Sequence, residues 1–172
     1  SLKKNASKSV ALKYKVPSKY FLILYLLVII FTFLKVYDGV FDKKINLGGD
    51  NASYYILGMS IAQGQGYANI HQKEKISHNH FPPGYPLIIA ATSKLISNKI
   101  IVIKRMNGFF LLASLVLLFF IIFKITKNYH IAFISSYFVL FNFNLLSYST
   151  IMMSEVPFLL FSLIGILLAL SI

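Results

Sequence analysis

The sequence predicts an all-α, polytopic membrane protein with about four transmembrane helices and interfacial juxtamembrane helices in a long first outer loop. Three observations predict it. Of the 172 residues 57% are hydrophobic and only 13% charged, against about 45–50% and about 25% in soluble domains. Too little charge is left to cover a water-exposed surface, and too much apolar residue is present for a disordered chain. Four long stretches lack charge altogether. The net charge of +12, carried by 17 Lys+Arg against 5 Asp+Glu, gathers outside those stretches, as expected of basic residues that meet lipid headgroups. No basic stretch carries a nucleic-acid reader motif, so membrane lipids rather than nucleic acid are the expected partner. With no cysteine in the chain, disulfides, Cys-based zinc sites and catalytic thiols are excluded.

Residues 1–19 form a basic leader holding Lys3, Lys4, Lys8, Lys13, Lys15 and Lys19. The first span, 20–37, is short, but Lys19 and Lys35 can snorkel to the headgroups. No small-x-small cleavage site follows it, so it reads as an uncleaved anchor rather than a signal peptide. Segment 38–104 is too polar for lipid. A second span covers 105–123, a short loop 124–130, a third span 131–148, a link 149–155 and a fourth span 156–172. The chain stops inside that last apolar run, which reads as part of a longer protein. Lys124 and Lys127 fall on the leader's side of the membrane, while link 149–155 has no Lys or Arg. The positive-inside tendency therefore puts the N-terminus in the cytoplasm. Nine basic residues between Lys35 and Arg105 run against it, but loops beyond about 60 residues translocate with little regard to charge. The expected location is a multi-pass cell membrane, the cytoplasmic membrane in a bacterium.

Within 38–104, Gly48-Gly49-Asp50 signals a helix start with Asp50 as N-cap. Ala52, Tyr55, Ile56, Met59 and Ala62 follow at amphipathic spacing, and Gly64 and Gly66 end the helix. Tyr54 and Tyr55 suit an interfacial position. A histidine-bearing loop (His71, His78, His80) leads to Phe81-Pro82-Pro83-Gly84-Tyr85-Pro86, whose paired prolines forbid helix there, while Pro86 can occupy the first turn of a new one. A second helix over 87–96, at about 15 Å, is too short to cross a core of about 30 Å.

Asp50 is the foremost candidate for chemistry, as a carboxylate near the outer surface able to take a proton from a hydroxyl; its plainer role is to cap its helix. Glu155 opens the fourth span, where the helix dipole favours an acid, and an ionisable group at the membrane edge is also a site candidate. The histidines match no helical metal motif. Lys104-Arg105 suit a lipid phosphate or a simple interfacial anchor.

Gly49-Asp50, Tyr54-Tyr55, Ala62, Gly64-x-Gly66-Tyr67, Pro82-Pro83-Gly84-Tyr85-Pro86 and Ser154-Glu155, in that order, resemble the N-terminal part of a GT-C class membrane glycosyltransferase. More narrowly, the chain is similar to the protein O-mannosyltransferase and aminoarabinose-transferase superfamily (glycosyltransferase family 39 and its bacterial relatives). The resemblance implies a catalytic Asp50 and an inverting transfer from a polyprenyl-phosphate sugar to a glycan, lipid or protein acceptor. It implies eleven or more spans in the whole enzyme and leaves a divalent metal open. Tyr54, Tyr55, His80, Tyr85, Lys104, Arg105 and Glu155 become the candidate substrate-binding residues. Many relatives carry Asp-Glu where this chain has Asp50-Asn51, and aminoarabinose-type relatives have a basic residue where it has Phe81. The rival from another class is a transporter segment or a non-catalytic membrane scaffold. Transporters put ionisable groups near mid-depth, whereas here the polar features gather at one surface.

Overall fold

Seven helices and no strand make up the described part of the chain, which in this computed structural model comprises residues 19–41, 43–44, 48–70, 77 and 80–172. Residues 1–18 of the basic leader, His71 and His78 lie outside the described residues.

Helix α1 (Lys19–Val40) holds 22 residues with no proline and no charge between its end lysines until Lys35. Its outward side chains include Phe21, Ile23, Leu24, Leu27, Phe31 and Leu34, all exposed, so this face has lipid for its solvent. α4 (Ile100–Thr126) is 27 residues long, about 40 Å. It starts five residues before the expected second span. Both helices are long and apolar enough to cross a membrane.

The expected third span is not one helix. α5 (Tyr129–Leu140) and α6 (Phe143–Ser149) meet at a break bent by 65°. Asn142 causes it: its side-chain oxygen accepts from Leu145 N–H at 3.1 Å and starts a fresh helix. Ser, Asn and Asp compete with the helical ladder in this way, and a hydropathy count does not register it. If α5 and α6 act together as one broken span, the spans number three. The fourth apolar stretch is helix α7 (Glu155–Ala169), 15 residues long, at about 22 Å shorter than the hydrocarbon core.

α4 is the centre of the bundle. Leu111, Leu115 and Phe119 of α4 are buried with Ile29 and Phe33 of α1, Ala132 and Leu140 of α5, Leu146 of α6 and Val156 of α7. Lipid tails are as apolar as leucine, so close fit rather than water exclusion holds such helices together. At the α1–α4 crossing the fit depends on Gly108, where a Cβ would come within 2.7 Å of Tyr37 Cε2. Gly108→Ala is expected to destabilise the protein by about 1–3 kcal/mol, read as a lower thermal unfolding midpoint in detergent. An unchanged midpoint would show that the Tyr37 ring swings aside freely.

The two remaining helices, α2 (Gly49–Ala62) and α3 (Gly84–Leu95), pack against each other and cap one end of the bundle. Gly58 lets them touch, since a Cβ there would sit 2.6 Å from Ile89 Cβ. A second core of Tyr54, Tyr85, Ile89, Ile103 and Met152 fastens this pair to the head of α4. α2 does not bury the stripe read from its hydrophobic spacing. Ala52, Tyr55, Ile56, Met59 and Ala62 are only half-buried, while Asn51, Tyr54, Leu57, Gly58 and Ser60 face inward. Buried polar groups with partners decide that choice, and apolar periodicity is blind to them.

Candidate functional site

Both ends of the bundle carry polar groups, but of different kinds. At one end Lys124 Nζ donates to Ser171 Oγ at 2.7 Å and Tyr25 Oη bonds His130 Nδ1. The candidate site residues Asp50, Tyr54, Tyr55, His80, Tyr85, Lys104, Arg105 and Glu155 lie at the other end, around α2, α3 and the heads of α4 and α7.

That end is organised about the turn 150–154, which links α6 to α7. Asn107 of α4, fully buried, holds this turn from below. Its Nδ2 donates to Ile151 O at 2.7 Å and Met153 O at 2.8 Å, and its Oδ1 accepts from Tyr85 Oη at 3.0 Å. From the side, Asn51 Oδ1 accepts from Met152 N–H at 2.9 Å, and Tyr54 Oη bonds Ser154 Oγ at 3.0 Å. Tyr37 Oη donates to Ser149 O at 3.1 Å. Turn carbonyls and N–H groups buried away from water need such partners, and α4 and α2 supply them. Burial, first of all, pushes the Tyr85 hydroxyl above its ordinary range, so it stays a donor to Asn107. Burial likewise raises Tyr67, whose hydroxyl donates to Phe81 O at 2.7 Å and steadies the proline turn.

Two cavities flank the turn. The first, about 460 Å³, is the more polar of the two and is lined by Lys44, Gly48, Asp50, Asn51, Lys104 and the turn residues Thr150, Ile151 and Met153. Lys104 is only 3% exposed. Its ammonium donates to Lys44 O at 3.0 Å and lies 5.3 Å from the centre of the Phe41 ring. A buried ammonium is costly unless anions or dipoles surround it, so this position is built rather than incidental. Asp50 stands exposed at the rim of the same cavity.

The second cavity, about 690 Å³, is mainly apolar, with Tyr54, Tyr85, Ile88, Phe158 and Phe161 around Ser154 and Glu155. Its size is that of a small-molecule ligand site. Glu155 is exposed in the first turn of α7, where the dipole favours its charge.

The candidate residues thus divide. Asp50 and Lys104 share one cavity, and Tyr54, Tyr85 and Glu155 another. Arg105 is turned into a third, of about 300 Å³, with Tyr37 and Asp38. Tyr55 is half-buried against the α2–α3 core. His80 is exposed, its ring edge-on to Phe81 at 4.8 Å. Asp50 is not the helix cap. α2 begins at Gly49, with Gly48 as N-cap, and no side chain makes the capping bond. Gly49 takes φ +56°, which glycine adopts freely, so the helix starts one residue before Asp50 and leaves its carboxylate at the cavity rim. Among the described residues no three His, Asp or Glu side chains group closely enough to hold a metal ion.

Asn51 and Asn107 escaped the sequence reading. Asn107 did carry a signal, as the one amide in the long apolar run of α4. Asn51 looked like a departure from the Asp-Glu pattern; its structural work is to hold Met152. Compared with family models, curated proteins and solved structures, the chain finds no match.

Proposed function

We propose that this chain is the N-terminal part of a GT-C class membrane glycosyltransferase, moving a sugar from a polyprenyl-phosphate donor to an acceptor hydroxyl or amine at the extracytoplasmic face. The observation that carries the reading is Asp50 and the buried Lys104 lining one cavity beside a larger, more apolar one. Sugar transfer from a lipid phosphate needs that pairing. The acceptor O–H (or N–H) proton passes to the Asp50 carboxylate as the acceptor atom bonds the anomeric carbon. The bond from that carbon to the phosphate oxygen breaks, and the electron pair leaves with the polyprenyl phosphate. A cation fixed near the departing phosphate stabilises its growing charge without reorganising, and Lys104, with Lys44 beside it, is so fixed. A single displacement of this kind inverts the anomeric centre. Arg105 lines a different cavity, with Tyr37 and Asp38.

On this reading the leader and Lys124 face the cytoplasm, and the α2–α3 cap lies outside. The test is incorporation of label from radiolabelled polyprenyl-phosphate sugars by membranes holding the full-length protein. Label transferred in a Lys104-dependent way supports the reading; no transfer from any such donor overturns it. Glu155→Gln preserves shape and removes charge, and is expected to lower transfer through the second cavity. Unchanged transfer with a lower unfolding temperature would assign this carboxylate to the α7 dipole alone.

A further inference from the structure

We propose that the third cavity, at the crossing of α1 and α4, binds the headgroup of a zwitterionic aminophospholipid, its phosphate on Arg105 and its ammonium on Asp38. The cavity measures about 300 Å³ and is lined by Phe33, Tyr37, Asp38, Phe41, Arg105 and Phe109 among others. That is the lower end of ligand-site sizes, room for a headgroup but not for a whole lipid.

Its chemistry is graded along the helices. Asp38 and Arg105 sit at the polar end of α1 and α4, and Phe33, Leu34, Phe109 and Leu112 form an apolar floor beneath them. Leu34 and Phe109 are 53% and 61% exposed, so the floor runs on to the lipid-facing surface, where acyl chains would continue. The Arg105 guanidinium lies 5.3 Å from the centre of the Phe41 ring, which fixes its place. Tyr37 packs over Gly108 and closes the inner wall.

Asp38 makes the site selective. It lies in the last turn of α1, at the negative end of the helix dipole, where a carboxylate is disfavoured unless a cation accompanies it. A primary ammonium gives it three hydrogen-bond donors, while a choline group offers none. An anionic headgroup would satisfy Arg105 and be repelled by Asp38. One cation, one anion, an aromatic wall and an apolar floor therefore describe phosphoethanolamine better than either alternative. The site requires only a membrane and is independent of sugar transfer.

The test uses the full-length protein in nanodiscs of equal phosphatidylethanolamine, phosphatidylcholine and phosphatidylglycerol with identical acyl chains, with retained lipid counted by native mass spectrometry. Wild type is expected to keep phosphatidylethanolamine over the other two by about tenfold, the effect of one charge-assisted hydrogen bond. Asp38→Asn is expected to lose that preference with a rise in phosphatidylglycerol, and Arg105→Gln to lose retention of all three. Both side chains are exposed, so neither exchange disturbs the core. Equal retention by wild type, or an unchanged preference in both variants, would mean that Asp38 and Arg105 merely offset each other and would overturn the proposal. Release of the lipid by soluble phosphoethanolamine would overturn the membrane source.

Discussion

Asp50→Asn in the full-length protein is expected to reduce sugar transfer by about 10²–10⁴-fold, the usual contribution of a general base, with membrane abundance unchanged. The substitution keeps the size of the side chain and removes its ability to take a proton. Its structural consequences are small because of where the residue sits: exposed, in the first turn of α2, with Gly48 rather than Asp50 as the cap. A carboxylate in a first turn contributes about 0.3–1 kcal/mol through the helix dipole, too little to unfold the protein. Loss of activity with normal insertion therefore reads on the chemistry. Transfer near the wild-type rate would remove Asp50 from the mechanism and leave its cavity as a packing feature.

The parts of the molecule legible in the sequence are those that hydropathy and turn chemistry control. α1 and α4 follow from uncharged apolar runs, α2 from paired glycines at each end, and α3 from the prolines before it. What stayed hidden is set by single amides. Asn142 splits the third apolar run, Asn51 turns α2 so that an asparagine faces inward, and Asn107 ties α4 to the turn 150–154. Asn51 and Asn107 exchange water for buried partners distant in sequence, about which local sequence is silent, whereas Asn142 acts locally as an exposed cap on Leu145 N–H. The division of Lys104 from Arg105 is similar. Neighbours on a helix point about 100° apart, and with Phe41 near both cations they enter different cavities. Adjacent basic residues thus looked like one phosphate site and are two environments.

Asn107→Leu tests the most heavily used of those amides and carries the largest expected cost in stability. Leucine has the same branching and the same number of side-chain heavy atoms, so the change chiefly deletes hydrogen bonds. It strips partners from Ile151 O, Met153 O and the Tyr85 hydroxyl at once. A buried polar group left unpaired costs about 1–3 kcal/mol. The three losses share one turn and do not add in full, giving about 3–5 kcal/mol. Tyr85→Phe, which leaves the two carbonyl bonds in place, is expected to cost about 1–2 kcal/mol and serves as the calibrating variant. Thermal unfolding of both proteins in the same detergent checks the order. Because the turn also positions Ser154 and Glu155 beside the apolar cavity, Asn107→Leu is expected to lose activity at temperatures where the helices remain folded. Equal midpoints for the two variants would mean that the turn is held mainly by Asn51 and Tyr54 from α2, and that α4 only lies beneath it.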